Sequence, residues 1–229
     1  MSWPGTGLAS TSRTPILAGV FGPKAAVVIV TIPIFAANSV LLLQGWRRLD
    51  VLRTIAPIIV ASAIGTAIGV NLLALLDQRT FAILISVMVA VFLVRGDRLI
   101  GDDPGARRAR ILGPVVGLVG GVLQGTTSIA SPLIGSFFHA RKMDRHEYVI
   151  VLAAIFELNA AIQLVGYALL GLYTADIVAI GLLGLVPTLL ALMAGIFFRG
   201  RLDQARFRQL IIVLLILSVA NLLWRSFGP

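Results

Sequence analysis

The chain has 229 residues, 58% hydrophobic and 13% charged, with a mean hydropathy of +0.98. A soluble domain is about half apolar and about 25% charged, so this composition excludes one and describes a polytopic membrane protein whose single membrane domain fills residues 1–229. Nineteen Lys and Arg against ten Asp and Glu leave a net charge of +9, which in a membrane protein is cytoplasmic-loop bias and not a nucleic-acid surface; the absence of cysteine excludes disulfides, thiol catalysis and Cys-ligated metals.

Residues 1–14 are polar and rich in Gly, Ser and Thr. They lack a basic region followed by an apolar run, so they do not read as a signal peptide. A first apolar span covers 24–45 and contains Pro33 and Asn38. A basic loop at 46–50 leads to a second span, 54–76, with Pro57 and the spacing Gly65-x-x-x-Gly69, which lets helices approach closely. A short third span, 80–94, precedes a charged linker at 95–110. After the stretch 111–138 and a charged loop at 139–147 come three more spans, 148–170, 175–198 and 207–224.

The stretch 111–138 is apolar at both ends and polar in the middle. Its first arm, 111–123, has about thirteen residues and its second, 133–138, about six, with Gln124-Gly-Thr-Thr-Ser-Ile-Ala-Ser-Pro132 between them. A spanning helix needs about 20 largely apolar residues without such a break. Non-helical backbone at membrane depth is tolerated only where protein buries it or it lines a cavity. The expectation is therefore a re-entrant segment, of the kind that marks binding sites in secondary transporters.

The linker separates two similar halves. Thr14-Pro15 resembles Ser131-Pro132, and Asn38 resembles Asn159. Pro57 with Gly65 resembles Pro187 with Gly195, and Leu76-Asp-Gln-Arg-Thr-Phe81 resembles Leu202-Asp-Gln-Ala-Arg-Phe207. The last pair is a repeated helix start, with Asp77 and Asp203 as N-caps. If 111–138 crossed the membrane once, the basic loops would be split between the two faces. If it is re-entrant, fifteen of the nineteen Lys and Arg share one face and only Arg13, Lys24, Arg79 and Arg225 lie opposite, as the positive-inside rule requires. Each repeat is then a re-entrant broken hairpin plus three transmembrane helices, an odd number of crossings. The halves, repeat 1 at 1–94 and repeat 2 at 111–229, are inverted about the cytoplasmic linker. Residues 1–22 supply only the tip and outgoing arm of the first hairpin, which is incomplete; its incoming arm is expected upstream of Met1 or has been lost.

Gln124, Gly125, Thr126, Thr127, Ser128 and Ser131 form the second polar tip, and Thr6, Ser10, Thr11 and Ser12 would be its partner. Helix ends meeting there would expose backbone N–H groups that can hold an anion without a buried cation; the same hydroxyls could equally satisfy a broken helix. Asn38 and Asn159 sit near the middles of their spans, where an amide binds substrate or a neighbouring helix. Glu157 lies near the centre of its span, where a carboxylate is costly and by default functional. Neutral, it could sit beside an anion; on losing its proton it would repel it, coupling transport to protons. Gln163 reads as a helix-packing contact. Tyr148, Tyr167, Tyr173, Trp46 and Trp224 read as interfacial anchors. His139 and His146 have no further ligand set, so neither a metal nor a cofactor is called for. No nucleophile–base pair marks an enzyme.

Two four-element halves, Gly120-Gly121, Gly125-Thr126-Thr127, Ser131-Pro132 and an Asn in the next helix resemble the TauE/SafE (TSUP) family of sulfite and organosulfonate exporters. The C-terminal half carries most of the resemblance. It implies a multi-pass transporter of small sulfur-containing anions in the bacterial or archaeal inner membrane, with a small anion and the lipid bilayer as partners; a homo-oligomer is left open. A reading of another class, a non-transporting membrane subunit that kept the fold, would be favoured by the absence of an apolar arm upstream.

Overall fold

The structure, a computed structural model, describes residues 22–77, 80, 83, 105–141 and 143–197. These form α1 (Gly22–Gly45), a 3-10 helix (Trp46–Ile55), α2 (Ala56–Leu75), α3 (Gly105–Thr127), α4 (Ser131–Ala140), α5 (Arg145–Leu169) and α6 (Ala175–Phe197). Five helices among the described residues are long and apolar enough to cross a membrane, one each within α1, α3, α5 and α6 and one running from the 3-10 helix through α2. The expected spans 80–94 and 207–224, the tip residues Thr6, Ser10, Thr11 and Ser12, and Asp203 lie outside the described residues, apart from Thr80 and Ile83.

Local chemistry sets the boundaries. Pro57 and Pro132 stand in the first turns of α2 and α4, where a missing N–H costs nothing. Asp144 caps α5 by accepting from the His146 amide at 3.0 Å. Thr174 Oγ1 accepts from the Ile177 amide at 3.3 Å at the start of α6. α5 ends at Leu169, and the chain turns away at Gly171, whose φ of 67° is the left-handed turn glycine permits. There the Leu172 amide donates to Tyr167 O and the Gly171 amide to Ala168 O, so the last carbonyls are not orphaned. The Thr80 amide donates to Asp77 Oδ2 at 3.1 Å, the capping bond expected of Asp77.

The broken stretch differs from expectation in where it breaks. α3 begins at Gly105, taking in the end of the linker, and stays helical to Thr127, 23 residues instead of an arm of thirteen. Gln124, Gly125, Thr126 and Thr127 are therefore helical. The reason is that both threonines donate to the carbonyl four residues back, Thr126 to Val122 O at 2.6 Å and Thr127 to Leu123 O at 2.8 Å. Their hydroxyls are satisfied without breaking the helix. The break is confined to Ser128–Ala130, with Ser128 at φ 57°. α4 then folds back along α3: a Cβ on Gly120 would meet Ile134 Cγ1 at 2.6 Å, and one on Gly113 would lie 3.4 Å from the tip of Phe137.

α2 and α3 run parallel, with Ile58, Ser62 and Thr66 of α2 meeting Gly117, Gly121 and Gly125 of α3 in turn. Gly65 and Gly69 of α2 meet Leu118 and Val122 of α3 in return. The glycines on each helix are four apart, so one face of each is bare backbone and the axes close to contact distance. α5 runs with α2, Asn159 beside Ser62 and Gly166 beside Val70. It runs against α1, with Gly45 beside Ile150 and Ser39 beside Glu157.

These directions put the end of α1, the 3-10 helix, the starts of α2, α3 and α5 and the end of α4 at one end of the bundle. An apolar cluster of Ile55, Ile58, Ala130, Ile134, Phe137, Phe138, Val151 and Ile155 fills that half. Phe137 and Phe138 meet edge to face, with ring centroids 5.3 Å apart. Ala25, Val28, Val70, Leu73, Tyr167 and Ile177 form a second cluster at the other end. Outward, Val60, Ile64 and Ile68 of α2 and Leu183, Val186 and Leu190 of α6 are exposed, the surface a bilayer covers.

Candidate functional site

Between the two apolar clusters lies a layer of buried polar side chains. α5 supplies its spine. Asn159, Gln163 and Tyr167 are four residues apart, hence on one helical face, and all three are fully buried. Each reaches a different neighbour. Asn159 Nδ2 donates to Ser62 Oγ on α2 at 2.8 Å. Gln163 Nε2 lies 2.9 Å from Gln124 O, 3.1 Å from Ser128 Oγ and 3.0 Å from the Tyr167 hydroxyl oxygen. The Tyr167 hydroxyl donates to Gly125 O at 2.7 Å. Gln124 Nε2 donates in return to Gln163 Oε1 at 3.3 Å. On α2, Thr66 Oγ1 lies 2.9 Å from Ser62 O and 3.2 Å from Gly121 O on α3.

The lattice fixes the turn from behind. An amide NH2 has two hydrogens, and three oxygens lie within reach of Gln163 Nε2, so they share them. The most distant of the three is Ser128 Oγ. Beyond it the chain enters α4, where Pro132 has no N–H and the Leu133 and Ile134 amides both donate to Ala130 O at 3.1 Å, so the first turn leaves the Ser131 amide and the positive end of the helix dipole.

Of the site residues expected from sequence, the structure gathers Gln124, Gly125, Thr126, Thr127, Ser128 and Asn159 around this lattice. Gln124, Thr126 and Thr127 are buried, while Ser131 is exposed on the first turn of α4. Asn38 is half-buried on α1 and takes no part in the lattice. Glu157 faces α1: Ser39 Oγ lies 2.6 Å from its Oε1, while its Oε2 is buried with no hydrogen-bond partner among the described residues.

Gln163 is the helix-packing contact read from the sequence, and it is also the hub that ties α5 to Gln124 and Ser128. Tyr167 is not an interfacial anchor, because it is fully buried and bonded to α3. The spacing Asn159, Gln163, Tyr167 was the available signal: three polar residues in register on an otherwise apolar helix. Tyr173, in the loop after α5, is half-buried against Tyr167 with ring centroids 6.5 Å apart. Burial pushes its phenol up to about 12, so it stays neutral at any working pH.

Tyr167→Phe should keep the packing and lose the bond to Gly125 O. The cost is about 1–2 kcal/mol, read as a lower unfolding midpoint in detergent. A midpoint equal to that of the native chain would show that Gly125 O finds another donor.

Compared with known families, residues 4–222 match the family model described as Sulfite exporter TauE/SafE. No curated protein and no solved structure matches the chain.

Proposed function

The chain belongs to the sulfite exporter TauE/SafE family, a family of membrane transporters, and on that premise we propose that it exports a small sulfur-containing anion, sulfite or an organosulfonate, across the inner membrane, coupled to protons and without ATP. The observation that carries the site is the Ser128–Ala130 break, a turn of backbone inside a bundle of apolar helices. Such backbone is tolerated at depth where it serves a cavity or a ligand.

In this reading the anion docks at the turn. Ser128 and Ser131 offer hydroxyls, and the start of α4 offers the Ser131 N–H and the positive end of its dipole. Gln124, Gly125, Thr126 and Thr127 hold the turn's shape, and Asn38 and Asn159 contribute from the flanking helices. Glu157 links the anion's passage to protons. The 111–138 stretch is re-entrant: α4 folds back along α3, and the arginine-bearing element ends gather at one end of the bundle, which is assigned to the cytoplasm. The antiparallel course of α1 and α5, equivalent helices of the two repeats, supports inverted halves that rock against each other.

The test is efflux of labelled sulfite from proteoliposomes under an imposed pH gradient. Efflux should follow the gradient in the native chain, and Glu157→Gln should lose that dependence while the protein remains folded. Equal gradient dependence in both would remove Glu157 from the mechanism. No flux above empty liposomes for sulfite or for a panel of sulfonates would sink the transport reading.

A further inference from the structure

We infer that Ser39 is the positioning residue through which the protonation state of Glu157 on α5 is passed to α1, and so from one half of the chain to the other. The inference rests on Glu157 being the proton link. Ser39 Oγ lies 2.6 Å from Glu157 Oε1 and 3.0 Å from the carbonyl oxygen of Phe35, one turn back on α1. A serine hydroxyl has one proton to donate, so it serves one of these oxygens at a time. Which one depends on Glu157.

With Glu157 ionised, Ser39 donates to Oε1, a short charge-assisted bond between the two helices. With that oxygen protonated, the carboxyl O–H donates to Ser39 Oγ, and the serine proton turns to Phe35 O. The transported proton enters and leaves on Glu157 alone; Ser39 reverses its donor sense. The bond persists but changes from charged to neutral, so the hold between α1 and α5 weakens when Glu157 takes up its proton.

Glu157 has no other handle among the described residues. Among the described residues its Oε2 has no hydrogen-bond partner, and its Oε1 is met by the Ser39 hydroxyl. Every charged or titratable residue on the described neighbouring elements stands at a sequence position near an end of its helix. Lys24 opens α1, and α2 carries none. Arg107, Arg108 and Arg110 open α3, and His139 closes α4. Asp176 opens α6; Arg47, Arg48, Asp50 and Arg53 lie in the 3-10 helix; Arg145, His146, Glu147 and Tyr148 open α5. Tyr167, further along α5, is engaged with Gly125. Glu157 is about three turns into α5. Among the described residues a single hydrogen bond therefore carries the response to this proton.

The experiment is an infrared pH titration of the reconstituted protein, with the carboxyl C=O band that disappears in Glu157→Gln assigned to Glu157. Ser39→Ala should move the midpoint of that band upward by about one pH unit, since a donor to the ionised form is lost. Ser39→Thr should restore it, and Ser39→Cys, a weaker donor of similar size, should fall between. The pH dependence of sulfite efflux should move by the same amount. A Glu157 band whose midpoint is indifferent to Ser39→Ala overturns the inference and leaves the proton link standing. Efflux that keeps its pH dependence in Glu157→Gln overturns the proton link itself, and the inference with it.

Discussion

Gly121→Leu should yield no folded protein, and Gly121→Ala should lose at least about 3 kcal/mol of stability, at the upper end of overpacking costs because what blocks the new atom is backbone. A Cβ at this position overlaps the carbonyl oxygen of Ser62, lies 2.8 Å from its carbonyl carbon and 2.9 Å from the amide nitrogen of Thr66. None of these atoms can swing aside as a side chain would. α2 and α3 would have to separate, and separation breaks more than one contact. Gly65, Gly69 and Gly125 depend on the same close approach, as does the reach of Thr66 Oγ1 to Gly121 O at 3.2 Å. The damage should therefore spread along the whole seam. Gly184 in α6 is the control: the nearest atom to its Cβ is Pro33 Cγ at 3.8 Å. Alanine there should be neutral or gain up to about 1 kcal/mol of helix propensity. Expression and unfolding in detergent, compared across the three variants, provide the check. A Gly121→Leu protein as stable as the native one would mean that the seam is not closed.

Hydropathy made the described spans readable, because a lipid-facing helix must be apolar over its full length. The cap at Asp77 was read from a repeated helix start, and the Thr80 amide donates to it. The glycine seam was half visible: Gly65-x-x-x-Gly69 identified one face, but its partner, Gly117, Gly121 and Gly125, lay inside a stretch read as broken. That misplacement has a simple cause. Polar composition suggested non-helical backbone, whereas Thr126 and Thr127 spend their hydroxyls on their own helix and remain in it. Pairings between helices were not readable at all. Nothing in the sequence ties Ser39 to Glu157, 118 positions apart, or singles out Ser62 as the partner of Asn159. Only the packing of α1, α2 and α5 brings them together.

Gln163→Leu should be the most damaging change in the polar layer, more than Tyr167→Phe and by at least a factor of two in unfolding free energy. Leucine is close in volume, so the packing term is small and the loss is polar. Removing the amide takes the donor from Gln124 O and Ser128 Oγ, and the acceptor from Gln124 Nε2. A buried group left without a partner costs about 1–3 kcal/mol, and hydrogen bonds between membrane helices are each worth about 0.6–2 kcal/mol. The sum is on the order of 2–4 kcal/mol. Two bonds locate the effect. The Gln124 Nε2–Gln163 Oε1 contact is long, at 3.3 Å, so Gln124→Leu alone should cost little more than its own burial. The Gln163 Nε2–Gln124 O bond, at 2.9 Å, involves the backbone and survives that substitution. A double-mutant cycle between positions 124 and 163 should then show weak coupling, while one between 163 and 167 should be strong, because Tyr167 accepts from Gln163 and donates to Gly125 O in one chain. Sulfite efflux should fall at least tenfold in Gln163→Leu, roughly the loss expected when a supporting hydrogen bond worth about 1.4 kcal/mol no longer holds the turn in its binding geometry. A Gln163→Leu protein with unchanged stability and unchanged efflux would show that the turn is held by α3 and α4 alone.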